Sequence, residues 1–254
     1  MGLFDFFKKN SAPPPSASSA APADKNVARL GRIAGDKLAQ NYDRQDAIEA
    51  LARIESADSA AALLKRFTFT IDPSITDQEE KEIAFQGVVA CGERAIEPVL
   101  AFCAKAESLT WPLKILREIL PEPRYVEEVV DLLDNFDTDY SRNVEPKVQL
   151  LSALSGRKGD DVVEVLLRFL EDVSEPVRFQ TILSLFSLED PTLVPKILEK
   201  LASEESVRLV TKTADCLATR SWSVPDEFRE PFGRALRASP AGYSVGRDGQ
   251  VQHY

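Results

Sequence analysis

The stretch EPVRFQTILSLFSLEDPTLVPKILEKL, residues 175–201, carries two apolar patterns of helical period with one break between them. Ile182, Leu185 and Phe186 recur at i, i+3, i+4; Val194, Ile197, Leu198 and Leu201 recur at i, i+3, i+4, i+7. Such spacing gathers each set on one face of an α-helix. Between them stands Asp190-Pro191, an N-cap acceptor followed by a residue suited to the first helical position. The segment reads as a helical hairpin.

The second pattern is not isolated. Earlier quartets are Ala60/Leu63/Leu64/Phe67, Ile96/Val99/Leu100/Cys103, Val126/Val129/Val130/Leu133 and Val163/Leu166/Leu167/Leu170, and a weaker one, Phe228/Pro231/Phe232/Ala235, follows. Successive quartets are 36, 30, 37, 31 and 34 residues apart, a period too narrow for unrelated amphipathic helices. Each is preceded by a further apolar helix, carrying Ile48/Leu51, Phe85/Val88/Val89, Leu113/Leu116/Leu120, Leu150/Leu151/Leu154, Ile182/Leu185/Phe186 or Leu209/Leu217. Thr76–Glu79 has the form of a capping box, and Gly156 and Gly159 mark a turn. Val27, Leu30, Ala34 and Leu38 predict a lead-in helix over 25–39. The expected fold is all-α, with about six helical hairpins over residues 25–237. The tail 238–254 has Tyr243/Val245 and Val251 on either side of Arg247-Asp-Gly, which leaves a short hairpin or a frayed end.

Residues 175–201, together with ESVRLVTKTADCLA at 205–218, resemble HEAT repeats of the bacterial type related to phycobilisome-lyase repeats. In that pattern an acidic residue and Val-Arg open the first helix and a proline falls early in the second. Glu175/Arg178 and Glu205/Arg208 match it, with Pro191 and Pro195 as the prolines. Arg44, Lys81 and Lys147 hold the basic position in other copies, while the third copy has only Lys114 nearby. The resemblance covers about residues 43–237 and implies an α-solenoid with an extended concave face. It implies a row made of Arg44, Lys81, Lys147, Arg178 and Arg208. That row reads either as pairs with acidic side chains of adjacent repeats or as a stripe for an acidic partner.

Charge and composition narrow the function. The net charge is −10, and residues 121–205 alone hold 19 acidic against 9 basic side chains. Nucleic-acid binding needs the opposite balance, so no nucleic-acid partner is expected. The acidic stretch reads as a solvated face or as a surface for a basic partner. The one histidine, His253, is the penultimate residue, which removes the usual general base. Cys91, Cys103 and Cys216 sit far apart in apolar stretches and read as core thiols of a reduced, cytoplasmic compartment. There is no phosphate-binding glycine loop, and Ser155-Gly-Arg-Lys158 lacks the companion motifs of S-x-x-K enzymes. Trp111 and Trp222 read as core or seam residues. No catalytic residue, metal or cofactor is expected.

The N-terminus is a separate unit. MGLFDFFKKN, residues 1–10, sets Leu3, Phe4, Phe6 and Phe7 on one helical arc, opposite Asp5, Lys8 and Lys9. Residues 11–24 are rich in Pro, Ala and Ser and read as a disordered linker. At under three turns the segment needs a surface to fold on. An anionic membrane, a groove on a partner and the protein's own repeats all qualify. The expected function is that of a non-catalytic scaffold or adaptor holding a protein partner on its concave face, with residues 1–10 as a second docking element. A weakly attached peripheral membrane protein at the inner face of the membrane is the alternative. A bilin-lyase-like enzyme, which the resemblance implies without any recognisable chromophore motif, ranks third.

Overall fold

Each apolar pair read from the sequence folds as two helices. The structure, a computed structural model, describes residues 25–237 and 241–253, so the expectations for residues 1–10 and 11–24 lie outside the described residues. A first helix, α1 (Lys25–Ala34), precedes six hairpins. These are α2 (Asn41–Ala52) with α3 (Ala57–Leu64), α4 (Ser74–Ala90) with α5 (Ile96–Cys103), and α6 (Thr110–Ile119) with α7 (Glu122–Asp134). Then come α8 (Glu145–Ala153) with α9 (Asp160–Phe169), α10 (Glu175–Ser187) with α11 (Val194–Lys200), and α12 (Val207–Arg220) with α13 (Asp226–Arg237). Two short antiparallel strands, β1 (Tyr243–Val245) and β2 (Val251–His253), close the described chain, with Val245 opposite Val251.

Packing follows the order of the hairpins. First helices touch first helices, α2 on α4, α4 on α6, α8 on α10 and α10 on α12. Second helices do the same, α3 on α5, α7 on α9 and α11 on α13. Apolar side chains buried along these seams form one continuous cluster from Val27 to Val251. Aromatic rings bridge the seams. Trp111 of α6 stacks on Phe67, and its centroid lies 5.8 Å from that of Phe85 in α4; Trp222 stacks on Phe186 of α10. The strands cover the last hairpin, β1 against α13 and β2 against α12. Gly249 (φ +82°) accepts the Val224 N–H at 2.8 Å, an approach that a Cβ would obstruct.

Local details differ from the sequence expectations. The lead-in helix ends at Ala34, and Leu38 lies beyond it, 89% exposed, where the Asp36 carboxylate accepts the Leu38 N–H. The predicted capping box at Thr76–Glu79 does not form, because α4 already begins at Ser74 and Asp77 is taken by Arg66, Lys81 and the Ile71 N–H. A capping box does form at Ser56/Ser59, ahead of α3. Asp190 accepts the Thr192 N–H as its position implied, although the first turn there is a 3₁₀ helix and α11 starts at Val194. On α9 the buried face is Val162/Val165/Leu166/Phe169, with Val163 and Leu167 half-buried. Two overlapping apolar rows exist on that helix, and the larger Phe169 turns it by one position.

The tightest helix contact is at Gly87 of α4. A Cβ there would stand 2.7 Å from the Ala52 Cβ and 2.9 Å from Leu63. Ala52 has no rotamer to yield, so Gly87→Ala would force α4 away from α2. The helix-propensity gain of about 1 kcal/mol is then outweighed by overpacking, which costs about 1–3 kcal/mol. Urea unfolding of the variant is expected to show a lower midpoint than the wild type; a raised midpoint would contradict this packing.

Candidate binding surface

The basic row predicted from the sequence resolves into two buried ionic clamps and one exposed arginine. Arg44 of α2 reaches across to α4, donating Nε to Glu80 Oε2 at 2.8 Å and Nη2 to Oε1 at 3.0 Å. Arg66 donates to the same Oε2 at 2.6 Å and to Asp77 at 2.8 Å, and Lys81 closes the group on Asp77 at 2.7 Å. Arg44, Arg66 and Glu80 are all within 1% of full burial. This cluster joins the first two hairpins.

The second clamp joins the last three. Lys147 of α8 donates to Asp172 at 2.8 Å, and both are buried. Asp172 in turn offers its backbone carbonyl to Arg178 of α10, whose guanidinium grips Glu204 with two bonds of 2.8 and 3.0 Å. Asp172 and Glu204 also accept the N–H of Ser174 and Ser206, each 2.8 Å away, at the entrances to α10 and α12. Arg208 differs from the others. Its side chain is 58% exposed, lies 3.7 Å over the Phe179 ring and pairs with Glu175 at 3.0 Å. Arg44 and Lys147 thus present no side-chain surface to a partner, Lys81 and Arg178 present a small edge, and Arg208 is the most exposed member of the row.

The third hairpin lacks a clamp of this kind. Gln149 of α8 takes its place, accepting the Leu109 N–H and donating to Thr110 at 2.9 Å, while Asn143 donates to the Glu107 carbonyl at 2.8 Å. Amides that reach α6 in this way leave no charge to neutralise.

Apolar surface remains open along the second helices, in two grooves. One, of 530 Å³, runs between α3 and α5, with Leu64, Phe67, Pro98 and Phe102 on its walls and Lys65, Lys105 and Glu107 among its lining residues. The other, of 370 Å³, runs between α5 and α7, with Leu100, Cys103, Leu132, Phe136 and Leu150 on its walls and Glu128 and Asp131 at its edge. Burial pushes the Cys103 thiol up to about 12, so the wall it forms is neutral. The two grooves have opposite rims, basic in the first and acidic in the second. Neither was legible as a groove in the sequence, since its floor is shared by helices about 35 residues apart in the repeat.

Among the described residues no group of three His, Cys, Asp or Glu side chains is placed to hold a metal ion. His253 packs edge-on against Tyr243, whose hydroxyl donates to Asp215. No helix among the described residues is long and apolar enough to cross a membrane. Comparison with family models, curated proteins and solved structures finds no match.

Lys147→Ala would strand the Asp172 carboxylate inside the protein, and loss of one partner of a buried pair costs about 3–5 kcal/mol. Urea unfolding reads that loss directly; a change below about 1 kcal/mol would show the pair to be solvated. Acid acts on the same clamps. Burial raises Glu204, but bonds from Arg178 and Ser206 outweigh it and hold the carboxyl below its ordinary 4.5. Asp77, raised by burial and lowered more by Lys81, Arg66 and the Ile71 N–H, lies below its ordinary 3.8. A native value below the unfolded one gives stability that is complete above the ordinary value and lost as pH falls through the native value. The urea midpoint is therefore expected to drop below pH 4.5, and Glu204→Gln to flatten part of that drop.

Proposed function

We propose that the chain is a non-catalytic α-solenoid of the HEAT-repeat type that holds a protein partner on the face formed by its second helices. The succession of like-on-like helix contacts supports the solenoid: α2 on α4 on α6, then α8 on α10 on α12, with second helices stacked alongside. The groove between α3 and α5 carries the functional reading. Its apolar walls are of the kind that receives an amphipathic helix through residues at i, i+3, i+4 and i+7. Lys65 and Lys105 stand beside it and favour a ligand helix with acidic flanks.

Binding rather than catalysis fits the side chains at hand. The cysteine thiols are buried and free, and burial raises all three. The carboxylates drawn into the interior at Glu80 and Asp172 are consumed by structural ion pairs. Nothing in that arrangement frees a nucleophile or a proton acceptor at an apolar site.

A fluorescent amphipathic peptide with Leu and Phe anchors at that spacing and Glu flanks is the direct probe. Fluorescence anisotropy is expected to show saturable binding to the wild type. It should be at least tenfold weaker for Lys65→Glu/Lys105→Glu, both surface substitutions, and weaker again for the same peptide with Lys flanks. Absence of saturable binding, or equal binding by the charge-reversed variant, would overturn the assignment of this groove.

A further inference from the structure

We infer that the groove between α5 and α7 is the docking site of the chain's own residues 1–10. Its walls are apolar: Leu100 and Cys103 come from α5, Leu132 from α7, Phe136 from the turn after α7, and Leu150 from α8. Its edge carries Glu128 and Asp131, and Asp131 is exposed. The occupant must therefore bring apolar anchors and positive charge together. Residues 1–10 do so within one short segment, with Leu3, Phe6 and Phe7 at i, i+3, i+4 and Lys8-Lys9 directly after.

Charge separates this groove from its neighbour. The α3/α5 groove has Lys65 and Lys105 against Glu107, so Lys8 and Lys9 would face like charges there. At the α5/α7 groove the same lysines meet the exposed Asp131, with Glu128, paired to Arg124 at 3.7 Å, beside it. The surrounding stretch adds to the attraction, since residues 121–205 carry the whole net charge of the chain.

The chain can reach. The described chain starts at Lys25 in α1, which packs on α3, and α3 packs on α5. Packed helices lie 8–10 Å apart, so α5 is about 20 Å from α1. The 15 residue steps from Asn10 to Lys25 span up to about 50 Å when extended. Tethering over that range gives an effective concentration on the order of millimolar, enough to populate a contact that would be weak between separate molecules. This assignment stands apart from the partner reading of the α3/α5 groove, because the two grooves are tested by different substitutions.

Zero-length carbodiimide crosslinking of the full chain, followed by mass spectrometry of the monomer, tests it. The expected product joins Lys8 or Lys9 to Glu128 or Asp131, independent of protein concentration. Asp131→Lys, an exposed change that leaves the helices intact by circular dichroism, should reduce that docking. A photo-crosslinker at Phe6 would then lose most of its yield on residues 100–104 and 128–136. Four results would overturn the inference: crosslinks from Lys8 and Lys9 to other regions, crosslinks only between molecules, photo-crosslinks that the charge reversal leaves unchanged, or residues 1–10 captured instead by vesicles containing anionic lipid with no intramolecular product.

Discussion

Buried charge that has to be neutralised across a seam is the constraint on which the rest of the structure depends. Arg44 belongs to the first hairpin and has lost all contact with water, so its position is tied to that of Glu80 in the second. Lys147 is tied to Asp172, and Arg178 to Glu204, in the same way. Such pairs add little net stability over apolar contacts of equal volume, because desolvation offsets the attraction. Their effect is on register. An apolar seam between two helices tolerates sliding by a turn, whereas a guanidinium holding a carboxylate with two bonds does not. The serine N–H groups that the Asp172 and Glu204 carboxylates also accept fix where α10 and α12 begin.

The clamps centre on the first helices, with Arg66, Asp172 and Glu204 supplied by the turns that leave the second helices. The open apolar grooves fall on the second helices, between α3 and α5 and between α5 and α7. The second groove coincides with the hairpin that has no buried ion pair, where Gln149 and Asn143 make neutral links instead. A proposed division of labour follows from this placement: charged clamps hold the stack, and the loosest joint in it exposes the surface used for recognition. On that proposal, the opposite rims sort ligands by charge, acidic-flanked helices to one groove and the chain's own lysine-flanked segment to the other.

Much of the helical layout could be read from the sequence because it depends on a local periodicity. Six quartets and their preceding helices fall where α2 to α13 lie. What could not be read depends on contacts between residues far apart. Arg66, fully buried in the turn after α3, has no periodic signal, and its partner Glu80 stands one place from Lys81, the residue that the basic register selected. Leu38 and the Thr76–Glu79 box had the right residues at the right spacing, but the chain had already turned in one case and already entered the helix in the other. A weaker signal was present for the acidic partners. Asp172 and Glu204 each stand two residues before a serine and 25 and 26 residues after the basic side chain they neutralise. The grooves had none, because a groove is defined by what neighbouring repeats fail to fill.

The central claim is that six hairpins stack in chain order, so that the first and last helices are far apart. Arg29 of α1 and Arg234 of α13 are both exposed, and the native cysteines are buried. Spin labels on Arg29→Cys/Arg234→Cys therefore report one distance by pulsed electron paramagnetic resonance. Six successive helix spacings of 8–10 Å predict a separation of about 40–60 Å, allowing for curvature. A distance centred below about 30 Å would place the ends together, as in a closed bundle, and would contradict the stack.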